Sequence, residues 1–178
     1  MNNDTLVVGA GPSGLMLAIQ LARRGVRPLI IDRHSGPAQQ SRAMGVQART
    51  LEIYAHLGLV ADALRLGKKA TAGNMWSLGQ RVARIPFGES GTGFSPYPFI
   101  LLLGQDDNEV LLGEALRALG VSVQWNTELL ALTQHADHVI AKLRDPDGSE
   151  REITTAWVAG CDGARSTVRE LCGIEFVG

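Results

Sequence analysis

Two features within the first 32 residues could do chemistry together: the run Gly9-Ala10-Gly11-Pro12-Ser13-Gly14 and the carboxylate of Asp32, 18 residues beyond it. The run has the spacing GxGxxG. Glycine at position 9 permits a tight turn, at 11 it lets a diphosphate approach the backbone, and at 14 it lets a helix pack close to a strand. The helix that opens at Pro12 and Ser13 offers free N–H groups and a partial positive charge to phosphates. A carboxylate at the end of the next strand can accept hydrogen bonds from a ribose hydroxyl. Together these features predict dinucleotide binding. A tight β-α turn without a ligand would explain the glycines and leave Asp32 unexplained. Arg33 could lay its guanidinium over an adenine ring, or be a solvated surface arginine. The spacing alone does not separate FAD from NAD.

The elements around these residues follow from hydrophobic periodicity. Residues 5–9 form an apolar run that reads as a buried parallel strand. Residues 13–24 carry Leu15, Ala18, Ile19 and Ala22 at helical spacing, with Gly25 placed to end the helix. A second apolar strand at 28–32 completes a β-α-β unit, whose crossover should be right-handed. Beyond it, the pattern predicts helices at 45–57 and 60–66, then strand-like pieces at 74–78 and 82–85 ahead of a loop rich in Gly and Pro. Helix returns at 106–119, followed by strands at 121–125, 129–133 and 138–144. The turn Asp145-Pro146-Asp147-Gly148 should send the chain back along 152–155. A buried strand at 156–159 and a helix at 164–171 come last. Residues 1–72 and 104–178 are expected to form one nucleotide-binding domain, and 73–103 an excursion toward a substrate domain.

A chain of 178 residues, 45% hydrophobic, suits a compact α/β domain with a real core. With a net charge of −1 it lacks the general pull toward nucleic acid or anionic membrane that a basic protein shows. No stretch reaches the roughly 20 apolar residues of a membrane span, and the amino terminus lacks the positive region of a signal peptide. Cys161 and Cys172 have no CxxC spacing and read as buried thiols in a reducing cytoplasm. His135 and His138 read as a solvated strand edge, and His34 and His56 have no partner at ligand spacing, so no metal site is expected. Trp76, Trp125 and Trp157 read as core or interface residues, and residues 96–99 could border a substrate pocket but read better as a loop packed on itself. No catalytic dyad or triad is visible, and a homodimer is left open.

Three further segments carry a family resemblance. The stretch Ser41-Arg42-Ala43-Met44-Gly45-Val46-Gln47-Ala48-Arg49-Thr50-Leu51-Glu52 resembles the arginine-bearing segment of the aromatic-ring flavoprotein hydroxylases. That group includes p-hydroxybenzoate, phenol and pentachlorophenol hydroxylases and polyketide oxygenases. Gly160-Cys161-Asp162-Gly163-Ala164-Arg165-Ser166-Thr167-Val168-Arg169 resembles the family's Asp-Gly motif. Leu103-Gly104-Gln105-Asp106 is similar to its glutamine at a helix start. All three stand in family order around the glycine fingerprint, and the resemblance covers the whole chain.

The resemblance implies a Rossmann-like FAD-binding domain of the α/β class: a parallel sheet with helices, a small antiparallel β-meander, and the beginning of a substrate domain inserted. It implies that Arg42 reaches the FAD pyrophosphate and ribityl region, where a planar guanidinium fork can hold phosphate oxygens in pairs. Gln105 would hydrogen-bond the ribityl chain or pyrophosphate, the backbone at Leu129 would touch the adenine, and Asp162 would stand beside the FAD. The implied reaction is hydroxylation of a small aromatic or polyketide-like substrate, with NAD(P)H as donor and O₂ as oxidant, through a flavin hydroperoxide. The hard chemistry would belong to the cofactor and its positioning to the protein. Two departures stand out. Asp32 occupies a place where the family more often has glutamate, and no second Gly-Asp segment follows the Asp-Gly motif. The chain is therefore expected to be a fragment that retains FAD poorly. A non-catalytic dinucleotide-binding fragment and an NAD-dependent dehydrogenase domain remain as alternatives; Arg42 and the Asp-Gly segment argue against the second.

Overall fold

A computed structural model of the chain describes residues 4–39, 45–87 and 93–177. The elements, in order, are β1 (Thr5–Val8), α1 (Pro12–Ala22), β2 (Pro28–Ile31), β3 (Gly45–Val46), α2 (Ala48–Leu57), α3 (Val60–Leu66), β4 (Lys68–Ala70), β5 (Ala72–Ser77) and β6 (Gln80–Pro86). They continue with β7 (Ile100–Leu102), α4 (Gln105–Ala118), β8 (Glu128–Gln134), β9 (Val139–Arg144), β10 (Glu150–Thr155), β11 (Trp157–Gly160) and α5 (Thr167–Leu171). This is the mixed α/β architecture expected, with a parallel sheet and antiparallel strands. The chain divides into two compact units, Met1–Ala38 with Leu112–Gly178, and Gln39–Leu111.

In the first unit, β1 lies between β11 and β2, both parallel to it. A strand paired on both edges and covered on both faces is largely apolar, and all four residues of Thr-Leu-Val-Val are buried. Side chains alternate across the sheet. Leu6, Val8, Leu29 and Ile31 share a core with Leu129, Ala141 and Leu143 of the antiparallel meander β8-β9-β10. Val7 and Ile30 are fully buried on the alternate face, and α1, packed on β1 and β2, buries Leu15, Ala18 and Ile19. Each fully buried Leu or Ile contributes about 1.5–3 kcal/mol. The β9–β10 turn forms where expected. Gly148 takes φ 84°, and the Ser149 N–H donates to Asp147 Oδ1 at 2.9 Å.

Several sequence-based expectations are corrected in this unit. The strand expected to be buried at 156–159 forms as β11 at the edge of the parallel sheet, where Trp157 is exposed and Val158 and Ala159 are half-buried. The segment 121–125 is not a strand: it makes one isolated parallel bridge, Ile31 to Gln124. Asn126, at φ 53°, then turns the chain toward β8 before a ladder can extend. The last helix begins at Thr167 rather than 164, because Gly163 is held at φ 81° and the Ser166 side chain caps the helix by accepting from the Arg169 N–H.

In the second unit, β3, β7 and β4 form an antiparallel sheet in the order β3-β7-β4. None of these strands was anticipated. Two or three residues are too few to show an alternation, and Gly45 and Val46, expected to open a helix, pair instead with Leu102 and Leu101. Helix α2 therefore starts at Ala48, and Gly58, at φ 77°, closes it. The buried Tyr54 hydroxyl donates to Asn108 Oδ1 at 2.6 Å, and burial raises the tyrosine pKa above its ordinary value, partly opposed by that bond. Strands β5 and β6 make a separate hairpin. Tyr97 and Phe99 meet edge to face with ring centres 6.4 Å apart, so this loop packs on itself. Trp76 and Trp157 are exposed and Trp125 half-buried, so no tryptophan belongs to the core.

Candidate functional site

The glycine loop is held by contacts that leave no room for side chains at two of its positions. Gly9 sits at φ 100°, and a Cβ there would lie 2.5 Å from the Cys161 carbonyl oxygen. Its N–H donates to Ile31 O at 2.9 Å, while the Cys161 N–H donates to Val8 O at 2.7 Å. These two bonds tie the carboxyl ends of β1, β2 and β11 together. A Cβ on Gly14 would collide with the Gly9 carbonyl oxygen, so the start of α1 is pressed directly on the loop. Gly11 is the N-cap, in ordinary extended conformation with no side-chain cap bond, and Pro12 fills the first helical position. The first N–H to find an intrahelical carbonyl is that of Leu15, which donates to Gly11 O at 3.0 Å. The N–H groups of Ser13 and Gly14 are thus left to whatever approaches the helix end, the arrangement that binds anions.

Asp32 follows β2, and its carboxylate reaches back to the loop. Oδ2 accepts from the Ala10 N–H at 2.7 Å. Oδ1 accepts from the His34 N–H at 2.9 Å and from His34 Nδ1 at 2.7 Å. A shorter acid than glutamate suits this fastening of strand end to glycine loop.

A shallow, open cleft lies in the first unit. From the β1 and β2 ends it is lined by Val8, Gly9, Asp32, Arg33 and His34; from the start of β8 by Thr127, Glu128 and Leu129; and from the Asp-Gly segment by Asp162, Arg165 and Thr167. Five of the residues singled out in the sequence, Gly9, Asp32, Arg33, Leu129 and Asp162, therefore line one cavity. Gly11, Pro12, Ser13 and Gly14 open α1, on the loop that starts at Gly9. Gln105 belongs to the second unit, where it opens α4 and its Nε2 donates to Glu109 Oε1 at 2.7 Å. Arg42 lies outside the described residues. His34, Thr127, Glu128, Arg165 and Thr167 were missed. Arg165 and Thr167 sit inside the quoted Asp-Gly segment, and His34 stands two residues from Asp32, the spacing at which an aspartate bonds the backbone ahead of it.

Asp162 has a structural task of its own. Its Oδ1 accepts from Ser166 Oγ at 2.6 Å and its Oδ2 from the Val168 N–H at 3.2 Å, so it braces the start of α5. Replacing Asp162 by alanine should cost about 1 kcal/mol, as loss of a helix cap does. In a chain of this size that lowers the melting temperature by about 2–4 °C. An unchanged thermal melt would show that the brace contributes nothing.

Among the described residues, the remaining titratable groups do not assemble a nucleophile. Burial, and then the adjacent Asp162 carboxylate, push the Cys161 thiol above its ordinary pKa, which keeps it protonated and unreactive. Cys172, expected to be buried, is exposed, because it caps the short α5, none of whose residues is buried. The rings of His135 and His138 stack 4.4 Å apart. Among the described residues no group of three metal-ligating side chains occurs, and no helix is long and apolar enough to cross a membrane.

Residues 2–178 match the protein family described as FAD binding domain. Over 177 residues the chain is 41% identical to 6-methylpretetramide 4-monooxygenase of Streptomyces rimosus, covering 98% of this chain and 31% of that protein. It is 36% identical over 174 residues to pentachlorophenol 4-monooxygenase of Sphingobium chlorophenolicum, covering 97% of this chain and 32% of that one. Among solved structures, the flavin-dependent monooxygenase PieE in complex with FAD and substrate superposes with a TM-score of 0.92 at 30% identity, covering all (100%) of this chain and 33% of that one. The chain spans about a third of the length of the curated relatives it matches.

Proposed function

The chain belongs to the family of FAD binding domains, and from that premise we propose that the protein is an FAD-dependent monooxygenase that hydroxylates an aromatic or polyketide-like compound. The residues present fit the cofactor. Gly9 and Gly14 stand where added side chains would fill the cradle, the start of α1 has no side-chain cap, and an acid stands at the end of β2. The N–H groups of Ser13 and Gly14 would hold the diphosphate, with Gly11 and Pro12 shaping its approach, and Asp32 would accept from the adenosine ribose. Arg33 would cover the adenine, with the backbone at Leu129 beside it. Arg42, Gln105 and Asp162 would hold the flavin half. Bound FAD would supply the redox chemistry: two electrons from NAD(P)H would reduce one atom of O₂ to water while the other enters the substrate ring. Reliance on NAD(P)H as donor would fit a cytoplasmic setting. Residues 1–72 and 104–178 would make the FAD-binding domain, and 73–103, which include the β5–β6 hairpin with its exposed Met75, Trp76, Val82 and Ile85, the excursion toward the substrate.

The observation that carries this reading is the convergence of Gly9, Asp32, Leu129 and Asp162, distant in sequence, on one cleft. Protein expressed from its whole gene should purify yellow and oxidise NADPH faster when a phenolic or polyketide substrate is added. In that protein Arg42→Ala should weaken FAD binding by about 1–3 kcal/mol, the range for leaving a hydrogen-bonding group without its partner. A colourless protein that reduces NAD⁺ without regard to phenols would overturn the assignment.

A further inference from the structure

Three of the acceptor positions on Asp32 are already in use. A carboxylate offers about four lone-pair sites on its two oxygens. Ala10 N–H takes one on Oδ2, and the N–H and ring Nδ1 of His34 take two on Oδ1. One site remains. A vicinal diol that donates both hydroxyls to this carboxylate needs two, so one present donor must leave. Two of the three cannot leave without moving the main chain. The Ala10 N–H belongs to the tight turn at Gly9, and the backbone at residue 34 is anchored by the Asn126 N–H, which donates to His34 O at 2.8 Å. The third is a side chain, 69% exposed, against an Asp32 side chain that is 13% exposed. Both His34 and Asp32 line the cleft. Because a carboxylate only accepts, the ring must present Nδ1–H to it.

We propose that the His34 side chain gates the ribose position: it holds the acceptor site on Asp32 that the second hydroxyl of a vicinal diol requires, and the ligand displaces it on binding. This rests on the reading of the cleft as the adenosine end of a dinucleotide site. The gate tunes affinity rather than blocking entry, since an exposed pair of this kind is weak. The cost of displacing it falls only on ligands that carry the diol: those without one leave His34 in place and gain nothing from its removal.

The test titrates the full chain calorimetrically with ADP and with 2′,3′-dideoxy-ADP. His34→Ala should bind ADP about three- to fivefold more tightly than the parent chain and dideoxy-ADP equally well. His34→Asn, whose amide nitrogen hangs from the same carbon position as Nδ1, should return to the parent affinity. In ¹⁵N spectra the parent's His34 Nδ1 signal should move from its hydrogen-bonded position on addition of ADP and stay with the dideoxy compound. Equal or weaker binding of ADP by His34→Ala overturns the gate while leaving the dinucleotide site standing, as does an equal gain with both ligands. Failure of the parent and both variants to bind either nucleotide overturns the dinucleotide reading, and the gate with it.

Discussion

Replacing Gly14 by alanine is expected to leave a chain that neither folds stably nor holds a dinucleotide. The added methyl group would collide with the Gly9 carbonyl oxygen, and Cys161 Cβ lies 3.2 Å away on another side. A long flexible side chain in the way could swing aside; a backbone carbonyl cannot. That carbonyl belongs to a residue whose own N–H is bonded to Ile31 and whose φ of 100° admits little adjustment. Relief therefore requires α1 to lift from the sheet, uncovering Leu15, Ala18 and Ile19, which are at most 2% exposed. Overpacking of a core costs about 1–3 kcal/mol, and more where the obstacle is rigid, so about 3 kcal/mol or more is expected here. That is a large share of the roughly 5–15 kcal/mol by which a domain is stable. Urea unfolding of Gly14→Ala should show a midpoint far below the parent's, together with loss of FAD binding. A variant of unchanged stability would mean that α1 does not press on the loop as described.

Replacing Asp32 by alanine should separate folding from binding. The folded chain loses one brace between β2 and the glycine loop, and the Ala10 N–H loses its acceptor. Leaving such a donor unpaired costs about 1–3 kcal/mol where water cannot reach it. Binding should lose more. Each hydrogen bond to a charged group is worth about 1.5–3 kcal/mol, and two ribose hydroxyls would lose their acceptor at once. FAD affinity should therefore drop by about 3 kcal/mol or more, roughly a hundredfold. Asp32→Asn sharpens the comparison, because an amide keeps one acceptor oxygen for Ala10 while removing the charge. It should restore part of the stability, since its NH₂ cannot accept from the His34 N–H, and little of the affinity. Titration of FAD fluorescence checks both variants. Equal FAD affinity in all three proteins would remove Asp32 from the ribose site.

These two expectations draw on different layers of information. The β1-α1-β2 unit, its glycines and the acid at its end were legible along the chain, because each depends on neighbours within about thirty residues and on periods that a single segment displays. The same holds for the turn at residues 145–148 and the strands it joins. What the fold alone decided was which distant residues meet. Strands β3, β4 and β7 have two or three residues each and exist only because partners arrive to pair with them. Conversely, the apolar stretch at 121–125 fails to become a strand, because one bridge to Ile31 is all the register allows before Asn126 turns away. The carboxylate of Asp32 was visible as a ligand for ribose. That it also fastens the glycine loop through Ala10, and is shared with the ring of His34, follows from three-dimensional proximity that no spacing records. Likewise Thr127, Glu128, Arg165 and Thr167 join the cleft through the packing of β8 and the Asp-Gly segment around the carboxyl ends of the parallel strands. Local pattern determines which segments become helix or strand. Long-range pairing determines whose side chains share a cavity, since hydrogen-bond registers between remote segments are settled only when the chain closes on itself.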